Sequence, residues 1–493
     1  MLKPDLNEFC ELAKEYNLIP VCRELLADLE TPVSVLSRFA EDDNVFLLES
    51  VEGGERFGRY SFIGLDPDVI LTIEDNEAVL RNLKTQTSKI FDVEKPHQAI
   101  REIIGSYKAA PLPGIPGFCG GLVGRLGYNL VREFEKLPEV KKAPACTANL
   151  MLCKKLIIFD NVKHTLRIVV NAEPQAGSSP REAYNKACQE IKVIEERLRQ
   201  PVPNFENFKA PDDSGELISN ITQEEYLKLV KRAKQYITQG DIIQVIISQR
   251  FSRQLKSHPL QLYRALRLIN PSPYMFYIKF DGKMLVGSSP EVMVRKTGNK
   301  AILRPIAGTR PRGKDEVEDR RFADELMKDE KERAEHLMLV DLGRNDLGRI
   351  AAPSSVQVKM FMTVERYSHV LHLTSEIEAE MQPDEDAISL LKASFPAGTL
   401  SGAPKVRAMQ IIEELEPESR DSYGGAVGYF SFNGDMDAAI TIRTFEIDDN
   451  RVSVQAGAGI VYDSDPIKEF EETKHKASAL FRAMEYAANG LNI

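Results

Sequence analysis

The chain has 493 residues, 74 acidic and 64 basic side chains, a formal net charge of −10, and 43% apolar against 28% charged residues. That length suits two or three units or one unusually large fold, and the balance excludes extended disorder. An acidic surplus without a basic cluster argues against a nucleic-acid surface. No run approaches the ~18 uninterrupted apolar residues of a membrane span, and residues 1–9 lack the apolar stretch of a signal peptide, so a cytoplasmic protein with no membrane contact is expected. The 6 cysteines all fall between Cys10 and Cys188 with irregular spacing and no CxxC pair, which fits reduced thiols better than a disulfide framework or a zinc site. There is no tryptophan at all.

Along the chain, Val45-Phe46-Leu47-Leu48 reads as a strand. Gly117-Phe118-Cys119-Gly120-Gly121 has the G-x-C-x-G shape of a nucleophile elbow, but a cysteine nucleophile needs a histidine base oriented by a third group. The next histidine, His164, is followed by Thr165-Leu166 and no carboxylate, so a tight glycine turn with a buried thiol is the expectation. Leu156-Ile157-Ile158-Phe159 reads as another strand, residues 173–180 as a surface loop and residues 181–199 as a helix. The polar, proline-punctuated stretch 197–220 marks a boundary between an N-terminal region, 1–205, and a C-terminal one, 220–488. The latter opens with Thr222 and Glu225 spaced as a capping box, and Gly240 closes that helix. A strand follows over 242–249. Residues 426–432 and 436–445 flank Asn433-Gly434, a strong hairpin signal; a third run, 452–456, extends that sheet before a final helix over about 467–488. Strands and helices alternate without a regular βαβ rhythm, so the expected class is α+β with large sheets.

Two helices carry carboxylates in unusual places. At ~100° per residue, Glu469, Glu472 and Lys476 form a narrow stripe beside an apolar arc of Phe470, Thr473, Ala477, Leu480, Phe481 and Met484, while Glu471 and His475 point away. A Glu–Lys pair at this spacing is commonly an ordinary surface pair; its place against the apolar arc favours a buried or cleft-facing role. In the earlier helix Glu335 shares a face with Glu332, Met338, Leu339 and Leu342, and a carboxylate there needs a partner. The partner is either an arginine, with Arg333, Arg344 and Arg349 as candidates, or a hard cation; two helices presenting glutamates inward suit Mg²⁺. Gly457-Ala458-Gly459 lacks the third glycine of a dinucleotide fingerprint. Residues 398–405 have the wrong spacing for a phosphate loop. Both turns offer backbone N–H groups to an anion such as a carboxylate.

The C-terminal half resembles the chorismate-utilising enzymes, in particular the large subunit (component I) of anthranilate synthase. The motifs that carry the resemblance are Ser289-Pro290-Glu291, Pro305-Ile306-Ala307-Gly308-Thr309-Arg310-Pro311-Arg312-Gly313, Asp341-Leu342-Gly343-Arg344-Asn345-Asp346 and Ser368-His369-Val370-Leu371-His372-Leu373. They continue through residues 395–405, Tyr423-Gly424-Gly425, Ile442-Arg443-Thr444 and residues 457–476, and the resemblance covers about 222–480 with a weaker continuation toward the N-terminus. It implies a sandwich of large mixed or antiparallel sheets flanked by helices. It also implies Mg²⁺ held by Glu335 and Glu472, with Glu332 and Glu469 beside them, clamping the ring carboxylate of chorismate. Arg443, Tyr423 and the backbone of Gly457, Ala458 and Gly459 would hold the enolpyruvyl carboxylate, with Gly308, Thr309 and Lys476 in the same pocket. Glu291, with Thr399 in the catalytic set, would protonate the departing C4 hydroxyl as ammonia attacks C2, and His372 would move the C2 proton as pyruvate leaves.

Two positions discriminate within the superfamily. Aminodeoxychorismate synthases typically carry a lysine nucleophile where this chain has Ala307, and isochorismate-forming enzymes place a water-activating lysine where it has Gln244. The resemblance further implies a tryptophan feedback site built from Ser50 with Pro273, Tyr274 and Met275, and a hetero-oligomer, a heterotetramer, in which a glutamine amidotransferase subunit delivers ammonia. Aminodeoxychorismate synthase and a catalytically silent tryptophan-binding subunit are the alternatives. A chain devoid of tryptophan, if it makes the precursor of that residue, remains translatable when tryptophan is scarce.

Overall fold

The computed structural model describes residues 2–51, 58–74, 76–111, 114, 116–138, 146–174, 179–205, 216–367 and 370–491. Parts of the expected loop at 173–180 and of the boundary at 197–220, and Ser368-His369 of one motif, lie outside them. Sheet building dominates because β-branched and aromatic residues alternate between two faces, as in Tyr274–Phe280. There Met275 and Tyr277 enter one apolar core while Phe276 and Ile278 enter another. Two large sheets result, of 13 and 12 strands among the described residues, with antiparallel pairing between neighbouring strands.

The sheets pack face to face through Phe46, Phe276, Ile278 and Leu285 of the first and Val123, Met151, Val427 and Ala439 of the second. Helices Pro180–Leu198, Pro259–Ile269 and Pro466–Ala488 cover the outer face of the first sheet. Gln98–Gly105, Glu330–Gly348 and Ala387–Ser394 cover that of the second. The expected α+β sandwich is therefore what forms. The reading of separate N- and C-terminal stretches describes the sequence and not the core: Val45–Glu49 pairs with Tyr274–Phe280 in one sheet, and Gly121–Leu126 with Ala426–Ser431 in the other.

Local signals held where they were local. The Gln223–Thr238 helix starts at Thr222, whose hydroxyl accepts from the Glu225 N–H while the Glu225 carboxylate accepts from the Thr222 N–H. The Asn433-Gly434 hairpin forms between Ala426–Ser431 and Met436–Ile440. The run 436–445 does not continue as one strand, however. It breaks at Thr441-Ile442-Arg443, and Thr444–Asp448 belongs to the opposite sheet, where it pairs with Arg451–Ile460. The third run thus extends the other sheet from the one its alternation suggested. A second chain crossing lies alongside: Lys283–Ser289 is in the first sheet and Val292–Thr297 in the second, with Pro290-Glu291 between them. The two crossings are tied by Ile440 N–H to the Glu291 carbonyl at 3.0 Å and Ser288 N–H to the Arg443 carbonyl at 3.1 Å.

Candidate active site

Both crossings open into a cleft of about 2460 Å³, lined also by the Glu330–Gly348 and Pro466–Ala488 helices. Pro290 and Glu291 of one crossing and Ile442 and Arg443 of the other all line it. Arg443 adopts φ 49°, the left-handed conformation rare for a side-chain-bearing residue, and lines the cleft beside Glu291. Burial pushes the Glu291 carboxyl above its ordinary range, against the opposing influence of a hydrogen bond donated by the Thr399 hydroxyl at 3.0 Å and of the Arg443 and Lys476 charges. A carboxyl in this setting holds its proton to higher pH than an exposed one.

His372 stands on the strand Val370–Glu380, next to a bulge where Ile306–Pro311 gains a residue at Gly308. Gly308 has φ 65°, and a Cβ there would meet Leu326 at 2.9 Å and Glu332 at 3.1 Å. Its carbonyl is 2.7 Å from His372 Nδ1. A carbonyl only accepts, so Nδ1 carries a proton toward it. Burial lowers the His372 pKa, which favours the neutral ring, with its lone pair on Nε2, over the cation.

On the floor, Gly457 and Gly459 lie within the strand Arg451–Ile460 rather than after it. One edge of that strand is paired with Gln244–Gln254 throughout. On the other edge the register with Thr444–Asp448 ends at Val454, so among the described residues the segment 455–460 has no strand beside it there. The Gly457 carbonyl on this segment accepts from Lys476 Nζ at 3.0 Å. A Cβ on Gly457 would meet the Tyr423 hydroxyl, and one on Gly459 the Gln244 amide. The expectation for Ala458 concerns its backbone, which lies between the two glycines on this strand; its methyl is fully buried in a cluster with Tyr226 and Val245. Strand alternation turns it to the far face.

The four glutamates line this same cleft, Glu332 and Glu335 on one helix, Glu469 and Glu472 on the other. Glu472 pairs with Lys476 at 2.8 Å, both about half exposed, so the pair faces a wet cleft and not a core. The arginines considered for Glu335 go elsewhere among the described residues: Arg344 to Asp341, Arg349 to Glu135, while Arg333 is exposed. Burial, and then the neighbouring Glu335 charge, raise the Glu332 pKa. Burial raises that of Glu469 too, with Glu472 adding to it. No three potential ligands are gathered into one cluster among the described residues. Two carboxylate pairs in like-charge company nevertheless have the donor chemistry of a hard cation that keeps water and shares substrate oxygens. His475, placed by periodicity on the far side, lines the cleft as well. Lys331, Tyr367 and Gln455 also line it; nothing but their sequence proximity to motif residues could have marked them.

A second cavity, about 580 Å³, lies between the sheets where Val45–Glu49 meets Tyr274–Phe280. Ser50, Pro273, Tyr274 and Met275 all border it, together with Phe62, Arg295, Tyr429 and Asp437. The Tyr274 hydroxyl donates to Asp437 at 2.8 Å and accepts from Arg295 at 2.9 Å, which gives this wall a polar patch. Pro273 borders both openings. A short hydrogen-bonded route joins them: Val51 N–H to the Ser272 carbonyl at 3.3 Å, the Ser288 hydroxyl to the Ser272 hydroxyl at 2.8 Å, and Ser288 N–H to the Arg443 carbonyl. Elsewhere, burial pushes the Cys119 thiol up to about 11, the reverse of an activated nucleophile, and His164 is exposed in a strand turn.

A family model described as chorismate binding enzyme matches residues 43–482. Over nearly the whole of both chains, the sequence is 44% identical to anthranilate synthase component 1 of Acetivibrio thermocellus (99% of each chain) and 46% identical to that of Aquifex aeolicus (99% of this chain, 98% of the relative). The crystal structure of anthranilate synthase component I from Streptococcus pneumoniae superposes with a TM-score of 0.77 at 33% identity, covering 92% of this chain and 98% of that one. The menaquinone-specific isochorismate synthase of Escherichia coli shares the fold at a TM-score of 0.69 and 20% identity, covering 97% and 98%.

Proposed function

The chain belongs to the anthranilate synthase component 1 family of chorismate binding enzymes, and from that premise we propose that it converts chorismate and ammonia to anthranilate and pyruvate. The observation that carries the reading is the meeting, in one cleft, of a buried carboxyl, a neutral histidine and an arginine set on a sheet crossing. Arg443, with Tyr423 and the open edge at Gly457, holds the enolpyruvyl carboxylate. Ammonia adds at C2 while Glu291 gives its proton to the C4 hydroxyl, which leaves as water. His372, through Nε2, then takes the C2 proton; the C3–O bond breaks, the ring becomes aromatic and the side chain departs as enolpyruvate, which takes up a proton at its methylene carbon to become pyruvate. Gln244, uncharged and lining the cleft, cannot serve as the base that a water nucleophile needs, which favours ammonia.

Glu335 and Glu472, with Glu332 and Glu469 beside them, would hold Mg²⁺. When bound, the ion neutralises the ring carboxylate and fixes its orientation. Ammonia reaches the cleft from solution or from a partner component, a glutamine amidotransferase, since Cys119 and His164 do not form a glutaminase centre on this chain. The second cavity takes L-tryptophan, and the route through Ser272 and Ser288 to the Arg443 backbone couples it to the substrate site.

One assay tests the reading. Purified chain with chorismate, Mg²⁺ and ammonium yields fluorescent anthranilate and pyruvate. Accumulation of aminodeoxychorismate would assign the chain to the other amination reaction, and absence of turnover with retained tryptophan binding would make it a silent regulatory subunit.

A further inference from the structure

Behind the cleft lies an ion pair that no step above uses. Arg420, 2% exposed, extends its guanidinium between three pieces of the cleft wall that are far apart in sequence. Nε donates to Glu416 Oε2 at 2.9 Å and Nη2 to Glu416 Oε1 at 2.7 Å. Nη1 donates to the Leu400 carbonyl and Nη2 also to the Ile246 carbonyl at 2.9 Å. Its Cζ lies over the Tyr128 ring, 4.9 Å from the centre, and over the Tyr423 ring, 5.6 Å from the centre. Glu416 Oε1 in turn accepts from the Ser248 N–H and hydroxyl, both at 2.8 Å. Leu400, Ile246 and Tyr423 all line the cleft, and Leu400 directly follows Thr399, the donor to Glu291.

Burying both charges so completely carries a heavy desolvation penalty, and apolar replacements of such pairs are often as stable or more so. Stability alone is therefore a poor reason for the pair. What no apolar side chain supplies is a rigid planar fork that holds two carbonyls and one carboxylate in fixed directions while stacking on an aromatic face. We propose that Arg420 is a positioning residue for the proton transfer at Glu291: by fixing the Leu400 carbonyl it sets the Thr399 hydroxyl on the Glu291 carboxyl. It touches no reacting atom and acts through Thr399. The inference rests on the anthranilate synthase reading of the same cleft.

The test is a double-mutant cycle on the full chain, with ammonium as nitrogen source and chorismate varied. Arg420→Lys keeps a cation that pairs with Glu416 but cannot fork; Thr399→Val removes the hydroxyl that Arg420 positions. A misplacement of about an ångström can cost ~100-fold in rate, so Arg420→Lys is expected to lower kcat by at least ~10-fold while KM for chorismate stays within ~3-fold. Because both residues act on one hydrogen bond, the double variant is expected to be little worse than the more impaired single. Wild-type kcat in folded Arg420→Lys overturns the inference, and so does a double variant whose losses multiply. Where melting shows that Arg420→Lys does not fold, Glu416→Gln, the same shape without the charge, is measured in its place against the same two outcomes. If the wild-type chain makes no anthranilate, it is the functional reading that fails; if it does and the cycle is additive, only the role of Arg420 fails.

Discussion

Glu291 and His372 are pushed in opposite directions by the same cause. Burial disfavours charge on both, so the carboxyl keeps its proton to higher pH and the imidazole gives its proton up at lower pH than when exposed. One side chain is thereby suited to act as an acid and the other as a base in a single cleft. The sign of the pH dependence follows. An acid catalyst works while protonated, so its contribution is lost as pH rises through the raised Glu291 pKa; the neutral base is lost as pH falls through the lowered His372 pKa. Glu291→Gln is expected to lower kcat by ~10²–10⁴-fold and to remove the alkaline limb of a pH–rate profile corrected for the free-ammonia fraction. A limb that survives the substitution belongs to another group. At this scale the sequence was informative about identity and silent about state. Motif spacing marks Glu291 and His372, but nothing in Ser289-Pro290-Glu291 reveals a buried carboxyl. Arg420 was unreadable for a related reason: Glu416 and Arg420, four apart, have the spacing of a solvated surface pair, yet are 3% and 2% exposed.

Helices bring the carboxylates to the cleft in pairs. The Pro466–Ala488 helix is legible from period alone: Phe470, Thr473, Ala477, Leu480 and Met484 are buried or nearly so, and Glu469, Glu472 and Lys476 border the cleft at the edge of that face. The same wheel misplaced His475 because the cleft wraps further round the helix than a flat contact would. Whether the two helices face one opening is not a helical property, and only their placement on opposite sheets decides it. In the proposed Mg²⁺ site each pair would share the work of holding the cation, so neither helix would suffice. Glu335→Ala and Glu472→Ala are each expected to abolish the response of turnover to added Mg²⁺ together with most activity, and to lower Mg²⁺ affinity in a calorimetric titration. Wild-type Mg²⁺ affinity in either variant would remove that residue from the ligand set. Strand alternation was less reliable than helical period. Residues 436–445 carry one unbroken pattern, since both halves are buried, and that pattern cannot tell that the chain changes sheets at Thr441-Ile442-Arg443.

Across the whole molecule, the sandwich has three consequences for function. Strands from both ends of the chain meet in each sheet, so the second cavity is walled by Ser50 from one part and Tyr274 from another. The sheet crossings set Glu291 and Arg443 side by side. The loop 270–273 lies between both openings, so the proposed coupling would run through a few hydrogen bonds. Ser50→Phe, which fills the cavity, is expected to raise the tryptophan concentration for half-inhibition by at least ~10-fold, within the ordinary range of coupling between sites. Unchanged inhibition would place the effector elsewhere.

Local and repeating features were readable from residue order: capping boxes, the Asn433-Gly434 turn, the apolar arc of the last helix and the motifs that carry the family. Each depends on neighbours within about one turn or one hairpin, where backbone geometry dictates the spacing. The sheet to which a strand belongs, the exposure of a charged pair, the direction of a pKa and the meeting of two helices at one cleft depend on residues hundreds of positions apart. Those were settled only when packing removed some charges from water and left others in it.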